Sequence, residues 1–325
     1  MVFTKTLEQV SILLIFIFTG YFLRKKEIIN ESGKKVLAGL LVNLFGPCYS
    51  IASLSTQLSI QRINEYLIYL LAGIVVSLII IFVAIPFAKL LGKDKIEKNI
   101  LKYALAFANI AYFGYPVVGA VFGESVKASM ILFCVPQTIA IYTYGYQILT
   151  TKIADTPDEV KNTLDSKAKT NWKSNFRFLT SAPFIGIMLG ITLGLLPIEL
   201  PAYAVNLLNL SANCLSATAM LLTGAVLANV PLLKLFTSWK PYVVGLIRLL
   251  IIPLLIGSIA YLIGIRGELF IILTASISLP VGMNVVIYPE SAGIDSTEGA
   301  KMCFISYVLA LATLPFMFEA IKILA

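Results

Sequence analysis

The stretch Asn109-Ile-Ala-Tyr-Phe-Gly-Tyr-Pro116 lies in the middle of an apolar segment long enough to span a membrane. Lipid offers no partner to a free backbone N–H or C=O, so such a segment is expected to be one continuous helix. This one carries Asn109, Gly114 and Pro116 near its centre. Proline removes a donor and crowds the preceding turn, and glycine lowers helix propensity further. The spacing predicts a break that leaves two half-helices meeting inside the membrane. A second break is expected at Ser278-Leu-Pro-Val-Gly-Met-Asn284, around Pro280 and Gly282. Two interrupted segments in corresponding halves of a chain point to the binding site of a secondary transporter.

Composition agrees with a membrane protein. Of 325 residues, 58% are hydrophobic and 13% charged, with a mean hydropathy of +0.90. Soluble domains are about one quarter charged. There is no histidine, which excludes His-based triads, proton relays and the commonest metal ligand. Cys48, Cys134, Cys214 and Cys303 all fall in apolar segments and read as packing residues. No metal or cofactor is expected. The first apolar run ends in Arg24-Lys25-Lys26 and reads as a retained helix, not a cleaved signal.

Ten apolar stretches of spanning length can be marked, at roughly 7–24, 34–54, 66–90, 99–121, 126–149, 177–196, 200–229, 239–263, 268–289 and 300–323. The fourth and ninth are the interrupted ones. One connection is long, Thr150 to Phe176, and its mixture of Lys, Asp and Glu marks a solvated loop. It divides a first half, 1–149, from a second, 177–325, with the loop at 150–176 between them.

Nineteen Lys and Arg residues fall on one set of connections, five on the other, and Arg248 lies within a span. Basic residues accumulate on the cytoplasmic side. This places both termini outside, in the cell membrane, and accounts for the +8 charge without nucleic acid. Five spans per half is odd, so the second half is expected to be inverted relative to the first. Pro116-Val117 matches Pro280-Val281, and Ala128-Ser-Met130 matches Ala300-Lys-Met302. The fold class read from this is an all-α integral membrane protein of ten transmembrane helices, arranged as two inverted five-helix repeats with broken helices four and nine.

Asn109 followed by Gly114-Tyr-Pro116, Gly123-Glu124, Val135-Pro-Gln137, Tyr142-Thr143, Ala219-Met220 with Gly224, Arg248 with Pro253, Gly264-Ile-Arg266-Gly267 and Leu279-Pro280 with Gly282 together resemble the auxin efflux carrier family. That family includes the plant PIN exporters and bacterial organic-anion permeases. The resemblance covers nearly the whole chain. Tyr112, Tyr115 and Pro136 stand where the family pattern would place aliphatics, and the central loop is short. The resemblance implies a crossover-helix fold with a scaffold part (helices 1, 2, 6, 7) and a transport part (3–5 and 8–10). It also implies an organic acid substrate, such as a dicarboxylate or an auxin-like aromatic acid, bound at the crossover and moved by an elevator-type shift.

On this reading Asn109 donates to a substrate carboxylate beside the positive end of a half-helix; the plainer reading is that it satisfies backbone groups freed by the break. Gln137, Asn284 and Ser278 are further candidate ligands, each with an interhelical hydrogen bond as the plain alternative. Gly114, Pro116, Pro280 and Gly282 set the crossover itself. Gly186, Gly190 and Gly194 give the sixth helix a smooth face, read as a close contact within the scaffold or as the seam of a homodimer.

None of the 17 acidic residues falls mid-span, which speaks against a carboxylate-based cation antiporter. Sodium held by backbone carbonyls stays open, so a sodium-coupled organic-acid symporter is the nearest alternative. A membrane sensor on the same fold is another. An enzyme is not expected, because there is neither a nucleophile–base pair nor a metal set.

Overall fold

The structure, a computed structural model, describes residues 2–58, 63–150, 180–196, 198 and 200–325. Among these residues the chain is helical apart from short connections, with no strand beyond one isolated bridge. The connection expected at 150–176 lies almost wholly outside the described residues.

The helices in order are α1 (Val2–Lys25), α2 (Glu31–Leu40), α3 (Gly46–Gln57), α4 (Ile63–Leu91), α5 (Lys95–Ala106), α6 (Tyr115–Phe122), α7 (Glu124–Ala140) and α8 (Tyr146–Thr150). There follow α9 (Ala182–Leu195), α10 (Ala202–Leu227), the single turn α11 (Leu232–Leu235), α12 (Trp239–Leu246) and α13 (Ile252–Leu262). The last three are α14 (Gly267–Ile277), α15 (Asn284–Ser291) and α16 (Thr297–Leu324). Polar side chains cap the starts of α2 and α5. Asn30 Oδ1 accepts from the Gly33 N–H at 2.8 Å to cap α2, and Asp94 Oδ1 accepts from the Glu97 N–H at 2.8 Å to cap α5.

Among the described residues, seven helices are long and apolar enough to cross a membrane. The sixth expected segment is the shorter helix α9, and the fourth and ninth segments are divided.

Four wide π turns occur among the described residues: Leu41–Phe45, Ile141–Gly145 and Ile247–Ile251 interrupt otherwise continuous helices, and Ile110–Gly114 opens the run that continues as α6. Pro47, Pro116 and Pro253 each sit two residues after one of them. A proline within a helix cannot bond the carbonyl four residues back, and its ring crowds that carbonyl. Widening the preceding turn relieves the clash without breaking the helix. This corrects the expectation at Pro116, which lies in the first turn of α6. The chain leaves helical geometry upstream, at Phe107–Asn109.

Glycines set the closest helix contacts. A Cβ on Gly224 of α10 would lie 1.9 Å from Ile17 O, and one on Gly20 of α1 2.1 Å from Leu221 O, so the two backbones touch. Gly186, Gly190 and Gly194 of α9 meet Pro47, Ser50 O and Leu54 O of α3 at 2.6–2.8 Å in the same sense. That smooth face lies against α3 of the same chain. α1, α3, α9 and α10 pack on one another, while α4, α5, α7 and α12–α16 form a second set of mutual contacts. Where the two sets meet, α1 and α10 lie against α16, α3 against α7, and α2 against α15.

Candidate functional site: the crossing of two interrupted segments

The two interruptions pair with each other. Ala108 and Val281 form an antiparallel bridge. The Asn109 N–H donates to Pro280 O at 2.8 Å, and the Gly282 N–H donates to Phe107 O at 3.0 Å. Gly282 is needed because a Cβ there would lie 3.0 Å from Phe107 O and 3.1 Å from Ala108 O. Gly114 is likewise fixed by packing, since its Cβ would run into the Leu279 side chain.

Breaking a helix frees carbonyls that must be satisfied in the interior. Here, side chains from other helices reach them. Arg248 Nη1 donates to Leu105 O at 2.6 Å, and Gln137 Nε2 donates to Ala106 O at 3.3 Å. The Val281 N–H donates to Ser306 Oγ at 3.1 Å. Pro116 leaves Tyr112 O without its helical partner, and Ser216 Oγ of α10 donates to it.

The two asparagines at the crossing are linked by one residue. Asn109 Oδ1 accepts from the Tyr112 N–H at 3.2 Å, which caps the helical run that begins at Ile110. Tyr112 Oη in turn donates to Asn284 Oδ1 at 2.9 Å. Asn109 Nδ2 donates to Tyr307 Oη, which leaves it one further hydrogen. Both asparagines are buried and stand where a helix begins. The amide dipoles of both helical runs thus point their positive ends at the crossing.

A cavity of about 30 Å³ lies here, lined by Asn109, Tyr112, Thr138, Tyr142 and Asn284 among others. That is room for a water or two. A larger cavity of about 410 Å³ opens beside it, between α3, α6, α7 and α10. It is lined by Tyr49, Ser53, Thr56, Asn209, Asn213 and Ser216 along with Ala111 and Pro116. Ala111 borders both spaces. Volumes of about 300–1,000 Å³ hold small organic ligands, so this vestibule has the size that the inner cavity lacks.

The sequence-predicted residues divide accordingly. Asn109 and Asn284 line the inner cavity, with Gly282 at its wall. Gln137 is at the crossing, with its amide bonded to the carbonyl at the end of α5. Ser278 is not brought to the cavity: its hydroxyl donates back to Thr274 O at 2.6 Å. Pro116 lines the vestibule. Pro280 supplies the carbonyl that receives the Asn109 N–H.

Tyr307 and Ser216 were not read as site residues from sequence. Both lie far from the crossing along the chain, and nothing in their local pattern marks them. Tyr112 carried a signal, as a tyrosine where an aliphatic was expected. Among the described residues no three Cys, Asp or Glu side chains come together in a way that could hold a metal ion.

The chain matches the family model described as membrane transport protein over residues 5–318. It is 23% identical over 317 residues to an uncharacterized transporter of Methanothermobacter thermautotrophicus, covering 97% of this chain and 98% of that protein. It is 26% identical over 315 residues to an uncharacterized transporter of Methanocaldococcus jannaschii, covering 94% and 95% respectively. The crossing is thus part of a membrane transporter, and the chain belongs to the membrane transport protein family, the auxin efflux carrier family that its motifs resemble.

Proposed function

We propose that this chain carries an organic anion across the cell membrane as a secondary or facilitative transporter, holding a carboxylate at the crossing and moving it by an elevator-type shift. The observation that carries the reading is the meeting of two helix starts, each with a buried asparagine, at a cavity adjoining a vestibule of ligand size. An anion is favoured at the crossing by N–H groups and helix dipoles, and Lys127 lines the adjoining vestibule. Asn109 has a hydrogen to give, and Asn284 is held ready through Tyr112.

On this reading the chain is two inverted halves, 1–149 and 177–325, and the more basic face is cytoplasmic, with both termini outside. The scaffold is α1–α3 with α9 and α10. The moving part is α4–α8 with α12–α16, in keeping with the two sets of packing contacts. The inner cavity holds no more than a water or two, so binding requires the walls to part, as relative movement of the two parts would allow.

Proteoliposome uptake of a panel of mono- and dicarboxylates and aromatic acids tests the reading, run with and without imposed proton and sodium gradients. Accumulation of one class of acid, abolished by Asn109→Asp, is expected. Uptake that depends on a sodium gradient would select the symporter form. No uptake or binding of any acid in folded protein would overturn the reading.

A further inference from the structure

At the end of the molecule away from the vestibule, two buried residues of opposite charge face each other. Lys34, in the first turns of α2, is 3% exposed, and Glu290, at the end of α15, is 7% exposed. Lys34 Nζ lies 3.8 Å from Glu290 Oε2. The run from Glu31 to Thr56 is one apolar span. Thr56, on the vestibule wall, is therefore about 33 Å along it from Lys34 at 1.5 Å per residue. The pair and the vestibule lie near opposite faces.

From sequence, Lys34 counted only as one more basic residue in a connection. Its burial against Glu290 is a tertiary result. Removing one partner of a buried ion pair normally leaves an uncompensated charge, which is costly. Here each partner has a second one on its own side. Glu31 Oε2 lies 2.9 Å from Lys34 Nζ on the same helix. Ser296 Oγ donates to Glu290 Oε1 at 2.7 Å from the loop that follows α15. On parting, Lys34 keeps the carboxylate of Glu31, while Glu290 keeps the Ser296 hydrogen bond but no countercharge, so the contact parts at low cost only when a proton neutralises Glu290.

The charged and titratable groups around Glu290 are few. α2 contributes Lys34 and Glu31, the latter also paired with Arg24 at the end of α1. The loop contributes Asp295 and Ser296. α16, which packs on α15, carries Glu298, and that carboxylate is paired with Lys301 at 2.6 Å. Tyr146 of α8 packs edge-on against Tyr288, two residues before Glu290, and Tyr103 of α5 is buried in the surroundings of Tyr288. Lys34 is the cation that faces Glu290, and it is shared with Glu31. A proton on Glu290 therefore removes the attraction to Lys34 while Lys34 keeps Glu31.

We propose that Lys34 and Glu290 form a releasable ionic latch that closes the face opposite the vestibule, and that a proton bound at Glu290 opens it. The inference rests on the transporter reading for its purpose. α15 begins at Asn284 in the crossing and ends beside Glu290. The latch therefore ties the site-bearing helix to α2, which packs on the other set of helices. A proton is the ligand that this site takes, and coupling of its binding to the opening of one face is the activity assigned.

The test is hydrogen–deuterium exchange of the full chain in lipid nanodiscs, without any organic acid, read over 284–296 and 31–45 at pH 5.5 and 7.5 after correction for intrinsic rates. In the wild-type protein, protection of both segments should fall about tenfold from pH 7.5 to 5.5. Glu290→Gln should be poorly protected at both pH values, with α4 and α7 unchanged. The exchange of charges in Lys34→Glu with Glu290→Lys should restore protection at pH 7.5. This control separates latch loss from misfolding. Wild-type protection in Glu290→Gln, or an unprotected charge-exchange protein, would overturn the latch. Because no cargo is present, such a failure leaves the organic-acid reading standing. An open latch with no acid taken up would sink that reading alone.

Discussion

Tyr112 Oη donates to Asn284 Oδ1 at 2.9 Å, across 172 positions of chain, while the backbone N–H of the same tyrosine donates to Asn109. One residue, through its backbone and its side chain, thus links the two asparagines at the crossing. Tyr112→Phe keeps the ring and the backbone bond and removes only the hydroxyl. A net hydrogen bond is worth about 0.5–1.5 kcal/mol. Binding of the carried acid should weaken roughly two- to tenfold, with the thermal midpoint little changed. Titration of purified protein by calorimetry or intrinsic fluorescence checks this, and unchanged affinity would mean that Asn284 needs no positioning.

Asn109 serves the backbone as well as the cavity, so the obvious variant mixes two effects. Asn109→Ala loses the cap on the Tyr112 N–H, a change that costs about 1 kcal/mol of stability at an exposed helix start. It also loses the amide donor, and a hydrogen bond to a charged ligand is worth about 1.5–3 kcal/mol. Affinity should fall roughly ten- to a hundredfold, together with a lower melting temperature. Asn109→Asp retains an oxygen for the cap at the positive end of the helix, yet sets a negative charge against the anion. It should melt near the wild-type temperature and bind worse than Asn109→Ala. If both variants bind as the wild type does, the carboxylate is held elsewhere.

Arg248 is fully buried in the π turn between α12 and α13, and its Nη1 holds the carbonyl of Leu105 at the end of α5. Its contact is with the broken backbone, and it does not line either cavity described above. Arg248→Lys shortens the reach and removes the planar fork. Loss of the bond should cost about 1–3 kcal/mol of stability, visible as reduced expression and a lower melting temperature in detergent. Affinity in the surviving protein should stay within about twofold. A well-folded Arg248→Lys protein with greatly weakened binding would make the guanidinium part of the ligand site.

On the basic face, Glu97 at the start of α5 is paired with Lys240 at the start of α12. Burial alone would raise the Glu97 carboxyl, but hydrogen bonds from Lys240 and from the Lys93 N–H outweigh it and hold the carboxyl below its ordinary value. The folded pKa is depressed, so the stability from this tie is fully present above the ordinary carboxylate range. It is lost as pH falls through the folded value. The melting temperature of the wild-type protein should therefore drop between pH 6 and pH 3.5 by more than that of Glu97→Gln. Parallel pH profiles for the two proteins would assign the acid sensitivity to other carboxylates.

What the sequence determined by itself was set by composition and by local chemistry. Apolar runs of spanning length mark a membrane protein because lipid forbids unpaired backbone. Asn109, Gly114 and Pro116, with Pro280, Gly282 and Asn284, mark where two of those runs fail. Only the tertiary structure decided how the failures are repaired. The break fell at Phe107–Asn109 and not at Pro116, because a π turn absorbs the proline and Ser216 takes up the carbonyl it strands. Ser278 turned back to its own helix, Gln137 and Arg248 were drawn to the end of α5, and the glycine face of α9 was used against α3. Lys34 moved from a surface charge to a buried partner of Glu290. Each of these depends on a residue more than 25 positions away in the chain, apart from Ser278, and in each the interior requires that every freed polar group find a partner. Local pattern records which groups are freed, and only the packing of distant helices settles which side chains reach them.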